Sequence, residues 1–344
     1  MPILLKNLTA TELHAALAPL GVSPRLARRL QAAVLRRDEI PADLPEVSGA
    51  LLERVRAAVR LPRLECLERR VSPRDGFAKL LFRGAGPEPF EAVEIPLAHR
   101  PGQEKTIVCV SSQVGCAMGC AFCATGRMGF VRNLETWEMV DQVMQVAARA
   151  RHPVRGVVFM GMGEPLLNLD AALRAARILS EPCGPAIAAK AISFSTAGVV
   201  PGIRRFAAER LPYRLIVSLT SADPARRREL MPAAAALPEL VAALREYHAA
   251  TGRRVTLAWT MIAGVNAREE DAIQLAELAR GLPITLDLID VNDATGRFRP
   301  PGPEELAAFR DALRKHLQMP VARRYSGGQD VHAACGMLAG GAAV

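Results

Sequence analysis

From about residue 104 onward the chain alternates between two hydrophobic patterns. Short apolar runs rich in β-branched residues recur at 106–111, 154–160, 191–196, 214–220, 255–262 and 284–291, and these read as strands. Stretches near 135–150, 168–180, 201–209, 237–251, 269–280 and 303–317 have helical periodicity instead. Six βα units in regular turn predict an α/β fold with a parallel sheet, either doubly wound or an incomplete barrel. In both cases ligands gather where strands end and loops begin.

The first hundred residues read differently. Residues 76–96 alternate enough to predict a hairpin with its turn at 84–87. Residues 1 to about 60 look helical. Thr9 or Thr11 caps a helix running through Leu20, Gly21 ends it, and Ser23-Pro24 starts another. That second helix carries Arg25, Arg28, Arg29, Arg36 and Arg37, which suits either contact with nucleic acid or a solvated face. The expected division is a helical accessory domain at 1–75, a hairpin linker at 76–101 and a catalytic core at 102–344.

Composition narrows the class. The 344 residues are half apolar with only 4% aromatics, so the core is built from Ala, Leu, Val and Ile. The net charge of +9 is carried by Arg, since Lys6, Lys79, Lys105, Lys190 and Lys315 are the only lysines; this hints at an anionic partner. Seven cysteines, an odd number with three clustered, fit a reducing compartment and a metal or redox role better than a disulfide framework. No signal-like stretch opens the chain and no run of about 18 apolar residues follows, so a soluble cytoplasmic protein is expected.

The sharpest chemical signal is GCAMGCAFCATG, which holds Cys116, Cys120 and Cys123. Three close thiolates without a nearby fourth suggest a [4Fe–4S] cubane with one iron open to a non-protein ligand. A zinc knuckle completed by Cys66, Cys183 or a histidine is the alternative.

These motifs resemble the radical S-adenosylmethionine (SAM) superfamily, and within it the RlmN/Cfr family of RNA adenosine methyltransferases. The resemblance rests on VCVSSQVGCAMGCAFCATGRMGFVRNL at 108–134, GMGEPLLN at 161–168, FSTAGVVPGI at 194–203, LMP at 230–232 and RRYSGGQDVHAACG at 323–336. It implies an incomplete (β/α)6 radical SAM barrel with a small N-terminal helical domain and hairpin. Cys116, Cys120 and Cys123 would hold the cluster. Gly163, Glu164, Ser195, Ser218 and Asn292 match positions that contact S-adenosylmethionine, two molecules of which are used per turnover. Cys335 would be methylated by the first and, after hydrogen abstraction by a 5′-deoxyadenosyl radical from the second, would pass the carbon to an adenine ring. Cys109 would resolve the adduct through a transient disulfide with Cys335, and Glu91 would accept a proton.

The implied product is adenosine methylated at carbon 2 in 23S rRNA; carbon 8, a tRNA adenosine or a different RNA are the alternatives. An electron donor such as a flavodoxin or ferredoxin is implied, and a monomer is expected. Thr220 in VSLTSAD, Trp259 in TLAWTMI and the loop VNDATGRFRPP depart from the family pattern, and were expected to face cofactor and RNA on the active rim. Cys66 and Cys183 match nothing and read as packing residues. A different radical SAM enzyme, which would not need both Cys109 and Cys335, and a non-catalytic zinc protein that binds RNA are the competing classes.

Overall fold

A computed structural model describes residues 2–97 and 102–341; the boundary drawn between hairpin and core at 101/102 lies at the edge of residues outside that description. Ten strands form one sheet: β1 (Glu65–Val71), β2 (Ala78–Arg83), β3 (Phe90–Leu97), β4 (Lys105–Cys109), β5 (Val154–Phe159), β6 (Ile192–Thr196), β7 (Arg214–Ser218), β8 (Val255–Met261), β9 (Ile284–Asp290) and β10 (Val321–Arg324). Their order across the sheet is their order in sequence. The first four are antiparallel neighbours, and from β4 to β10 every pairing is parallel.

That order decides between the two expected architectures. A doubly wound sheet needs a point where strand order reverses, and there is none. Successive right-handed crossovers in one direction put their helices on one face and curl the sheet around the other. The helices fall at Thr136–Ala147, Leu169–Ser180, Val200–Ala208, Leu237–Thr251, Glu269–Leu278 and Pro303–Leu317, close to their expected ranges. The sheet is open, because β1 and β10 are its two edges and do not pair.

Two sheet strands escaped the sequence pattern. The segment ECLERRV of β1 is largely exposed and charged, as an edge strand must be to resist pairing with another chain. The β10 segment is four residues long, half of them Arg. The hairpin read as a linker is integral to the sheet, since β3 pairs with β4 from Leu97↔Lys105 to Val93↔Cys109.

At the N-terminus, Thr9 caps the helix Ala10–Leu17 in a reciprocal capping box with Glu12, and Gly21 at φ 86° ends the short 3-10 turn Ala18–Leu20. Most arginines of the next helix, Pro24–Arg37, are already engaged. Arg29 donates to the Pro45 carbonyl at 2.8 Å, Arg36 to those of Gly184 and Pro182, and Arg37 pairs with Glu39. The helix's other face buries Leu26, Leu30 and Val34 in the same hydrophobic cluster as the sheet.

Lys6 fastens this region to the core. Its fully buried ammonium pairs with the buried Asp141 carboxylate of the Thr136–Ala147 helix, with Asp38 at 2.6 Å, and donates to the Pro62 carbonyl. Asp141 also accepts the Leu64 amide at 2.7 Å. Removing one partner of a buried ion pair strands the other charge, which typically costs 3–5 kcal/mol. Lys6→Met is therefore expected to lower the unfolding free energy in urea by about 3–5 kcal/mol, and adding Asp141→Leu to recover much of the loss. A loss below about 1 kcal/mol for Lys6→Met would show that water or Asp38 rearrangement compensates Asp141.

Candidate active site

The loop after β4 carries the three clustered cysteines. It is pinched at its base by a short antiparallel ladder, Gln113–Gly115 against Phe130–Asn133, and the Cys116 amide donates to the Gly129 carbonyl at 2.9 Å. A β-carbon on Gly115, at φ 69°, would fall 1.9 Å from that same Gly129 oxygen, so the pinch requires glycine. The Ala121 amide donates to Leu230 O and the Ala124 amide to Gly336 O. The loop is thus held between the helix Pro224–Leu230 and the tail that follows β10.

A cavity opens at the C-terminal ends of the parallel strands, and Cys116, Cys120 and Cys123 line it. Gly163, Glu164, Ser195, Ser218, Asn292 and Cys335 line the same cavity. Residues spread over more than two hundred positions are brought together because each follows, or ends, a strand of one parallel array. Among the described residues no group of three or more His, Cys, Asp or Glu converges on a single metal ion. A cubane is larger than one ion, and thiols arranged around its face stand farther apart than the ligands of one zinc.

The cavity is apolar enough to make bare charges costly. Burial pushes the Cys116 and Cys120 thiols up to about 12, with Cys123 nearby adding to the effect. Thiolates there need a cationic partner, which an iron cluster provides. Glu164 is 3% exposed, and burial raises its carboxyl to about 7 despite hydrogen bonds from the Ala197 amide at 2.7 Å and the Leu166 amide at 3.0 Å. Gly163, at φ 97°, brings the backbone so close to Gln113 that a β-carbon would meet that side chain at 2.5 Å.

A second cavity adjoins the first, with Cys123, Cys335, Met160, Gly161 and Gly336 lining both. Cys109 lines only the second, so the two expected reactive thiols share one wall. All seven cysteines are free, and no disulfide joins Cys109 to Cys335. Burial pushes the Cys109 thiol far above its usual range, and a charge on Cys335 would push it further. Cys335 is an exposed residue, yet surrounding chain desolvates its sulfur and raises it too.

The tail that carries Cys335 is bound at several points. Asp75 accepts the Gly328 amide and the Tyr325 hydroxyl, each at 2.9 Å, and the Tyr325 ring meets Phe77 edge-on. Thr125 donates to Leu338 O at 2.6 Å. The Asn292 amide, read as a cofactor contact, donates to Ser326 Oγ at 2.9 Å and accepts from Gln329, so its side chain also serves the tail. Glu91 lies apart from both cavities. It is 1% exposed, pairs with Lys79 at 2.9 Å and accepts the Ala339 and Gly340 amides at 2.8 and 3.1 Å.

Two positions expected on the rim face elsewhere. Trp259 is fully buried against Phe309 of the helical layer, its indole donating to Asn266 O at 3.0 Å. Its side chain points to the sheet's outer face because residues alternate along β8, and the neighbouring Ala258 and Thr260 are the ones that line the cavity. Thr220 is also fully buried, at φ 61°, and its hydroxyl has no partner. Sequence reasoning missed Lys79, Asp75 and Arg227. The first two are anonymous in sequence because their role depends on the tail folding back. Arg227 sat in an arginine run whose burial no local pattern reveals.

Residues 110–276 match the family described as the Radical SAM superfamily. The chain is 50% identical over 341 residues to a probable RNA methyltransferase of Myxococcus xanthus, covering 97% of this chain and 94% of that one. It is 38% identical to the dual-specificity RNA methyltransferase RlmN of Syntrophobacter fumaroxidans, with 98% of each chain covered. Its structure superposes on the crystal structure of a radical SAM methyltransferase from Sphaerobacter thermophilus with a TM-score of 0.87 at 38% identity, covering 98% of this chain and all of that one. With relatives this similar over nearly its whole length, the chain belongs to the radical SAM superfamily and, within it, to the RlmN-type RNA methyltransferases.

Proposed function

We propose that this enzyme methylates carbon 2 of an adenosine in 23S rRNA, and of a tRNA adenosine, through a methylated Cys335. The carrying observation is that Cys335 sits where two cavities meet, one lined by the three clustered cysteines and one by Cys109. Cys116, Cys120 and Cys123 would hold a [4Fe–4S] cluster, and Gly163, Glu164, Ser195 and Ser218 would bind S-adenosylmethionine beside it. When bound, this pair supplies the methyl group and the radical chemistry that an unactivated ring carbon requires.

The chain's own residues do the rest. Cys335 carries the carbon and presents it to the base at the cavity mouth. Cys109 faces the same space, and its thiolate attacks the Cys335 sulfur. The bond from that sulfur to the transferred carbon breaks with its electron pair going to the adenine, which takes up a proton as the methylated product leaves. A Cys109–Cys335 disulfide remains for an external thiol reductant to reopen. Burial makes the Cys109 thiol a weak acid, so a base or the adduct itself must help remove its proton. Glu91 we assign to holding the Cys335 tail rather than to accepting a proton, on its contacts with Lys79, Ala339 and Gly340. Glu164 provides a buried carboxylate that pairs with no cation among the described residues, which suits the ammonium of an amino acid moiety.

Glu164 yields a pH test on cluster-free protein. An acid whose folded value is raised to about 7 costs nothing below the unfolded carboxyl range, and destabilises the fold increasingly as pH rises to about 7. The stability of Glu164→Gln relative to wild type should therefore improve as pH goes from about 5 to about 8. The opposite trend would mean that the native site welcomes the bare carboxylate.

The two-thiol assignment is tested with RNA. Cys335→Ala should load iron as wild type does and transfer no methyl, as read by mass spectrometry of digested RNA. Cys109→Ala should accumulate a protein–RNA crosslink that Cys335→Ala never forms. Full methylation by Cys335→Ala would remove the proposed carrier. Turnover by Cys109→Ala without any crosslink would move resolution to another group.

A further inference from the structure

Two opposite charges are buried on either side of Ala197 and do not meet each other. Glu164 accepts the Ala197 amide, and on the far side Arg227 Nη2 donates to the Ala197 carbonyl at 3.0 Å. Arg227 is only 3% exposed. Its neighbours in the run are ordinary, with Arg226 paired to Asp271 and Arg228 exposed. Arg227 itself contacts a carbonyl and the Met231 sulfur at 3.4 Å, and its Nε has no partner. Among the described residues no carboxylate pairs with it.

A buried guanidinium without an anion is costly, and folded proteins pair or coordinate such charges. The missing anion lies on the cavity side. Met231 and Ala197, the two groups that Arg227 touches, both line the cavity together with Cys116, Cys120 and Cys123. The helix bearing Arg227 also binds the cysteine loop directly, through the Ala121 amide and the Leu230 carbonyl at 2.9 Å.

We propose that Arg227 is the counter-charge of the thiolate-held cluster, and that it raises the cluster's reduction potential. This rests on the reading of the three cysteines as cluster ligands. Three thiolates make the loaded site net negative, and the electron taken up on reduction adds one more negative charge. A fixed cation behind the cavity wall formed by Ala197 and Met231 stabilises the reduced form more than the oxidised one, which shifts the midpoint upward. In return, the loaded site supplies the anion that Arg227 lacks.

Anaerobically reconstituted wild type, Arg227→Met and Arg227→Lys are compared by iron content and by redox titration followed by electron paramagnetic resonance, without S-adenosylmethionine. All three should carry the same iron. The Arg227→Met midpoint should fall below that of wild type, and Arg227→Lys should stay near it. An iron-free wild type would refute the reading of the cysteines, not the role of Arg227 alone. An unmoved Arg227→Met midpoint overturns the proposal. If S-adenosylmethionine binding weakens while that midpoint stays put, the anion is the cofactor's carboxylate, and the proposal also fails.

Thermal unfolding gives a second readout, first on cluster-free protein and then on loaded protein. Cluster-free Arg227→Met should unfold at the same or a higher temperature than cluster-free wild type, since it removes an uncompensated charge. Loading should then raise the wild-type temperature more than the variant's. A cluster-free Arg227→Met that unfolds earlier, or does not fold, overturns the proposal by showing that the contacts to Ala197 and Met231 alone justify the burial.

Discussion

The way the two cavities meet depends on a tail being held against the open side of a curled sheet. Glu91 at the start of β3 is the deepest of the fastenings. Its carboxylate is neutralised by Lys79 from β2 and spends one oxygen on two tail amides, Ala339 and Gly340. Asp75, Thr125 and the Ala124 amide hold the same segment farther along. Without them Cys335 would have no fixed relation to Cys109 or to the cysteine loop. Buried, satisfied polar contacts specify position more sharply than apolar packing does, because each donor has few acceptors that fit.

The cavity itself is prepared for guests of both signs. Desolvation works against the thiolates of Cys116 and Cys120, against the carboxylate of Glu164 and against the guanidinium of Arg227. The protein separates the last two by one residue, Ala197, and does not let them cancel. Such stored electrostatic cost is characteristic of binding sites, where a ligand relieves it.

Most of the sheet was legible in the sequence because parallel strands buried on both faces are continuous apolar runs, and the helices between them keep their caps and periodicity. The cysteine loop and the Gly163–Glu164 turn were legible through spacing and through their place after strands. What escaped depends on the third dimension. The edge strands β1 and β10 carry polar, exposed sequences that imitate loops. Trp259 was assigned to the wrong face because a one-residue register on β8 decides between cavity and core. Glu91 carried only the proton-accepting role that the resemblance implies, because its partners in the tail lie 248 and 249 residues away in sequence.

Beyond β10, residues 325–341 add no strand to the sheet; they are attached by side chains and a few isolated amides. Separation of this strap breaks no rung of the ladder, but it uncovers Ala333 and Leu338 of the main core and the buried Glu91–Lys79 pair. It is therefore an opening whose cost is set by those contacts and not by the sheet, distinct from global unfolding. The two cavities are thus walled on one side by a segment fastened through contacts and not through strand pairing, while the cysteine loop and the strand ends are anchored on the sheet beneath it.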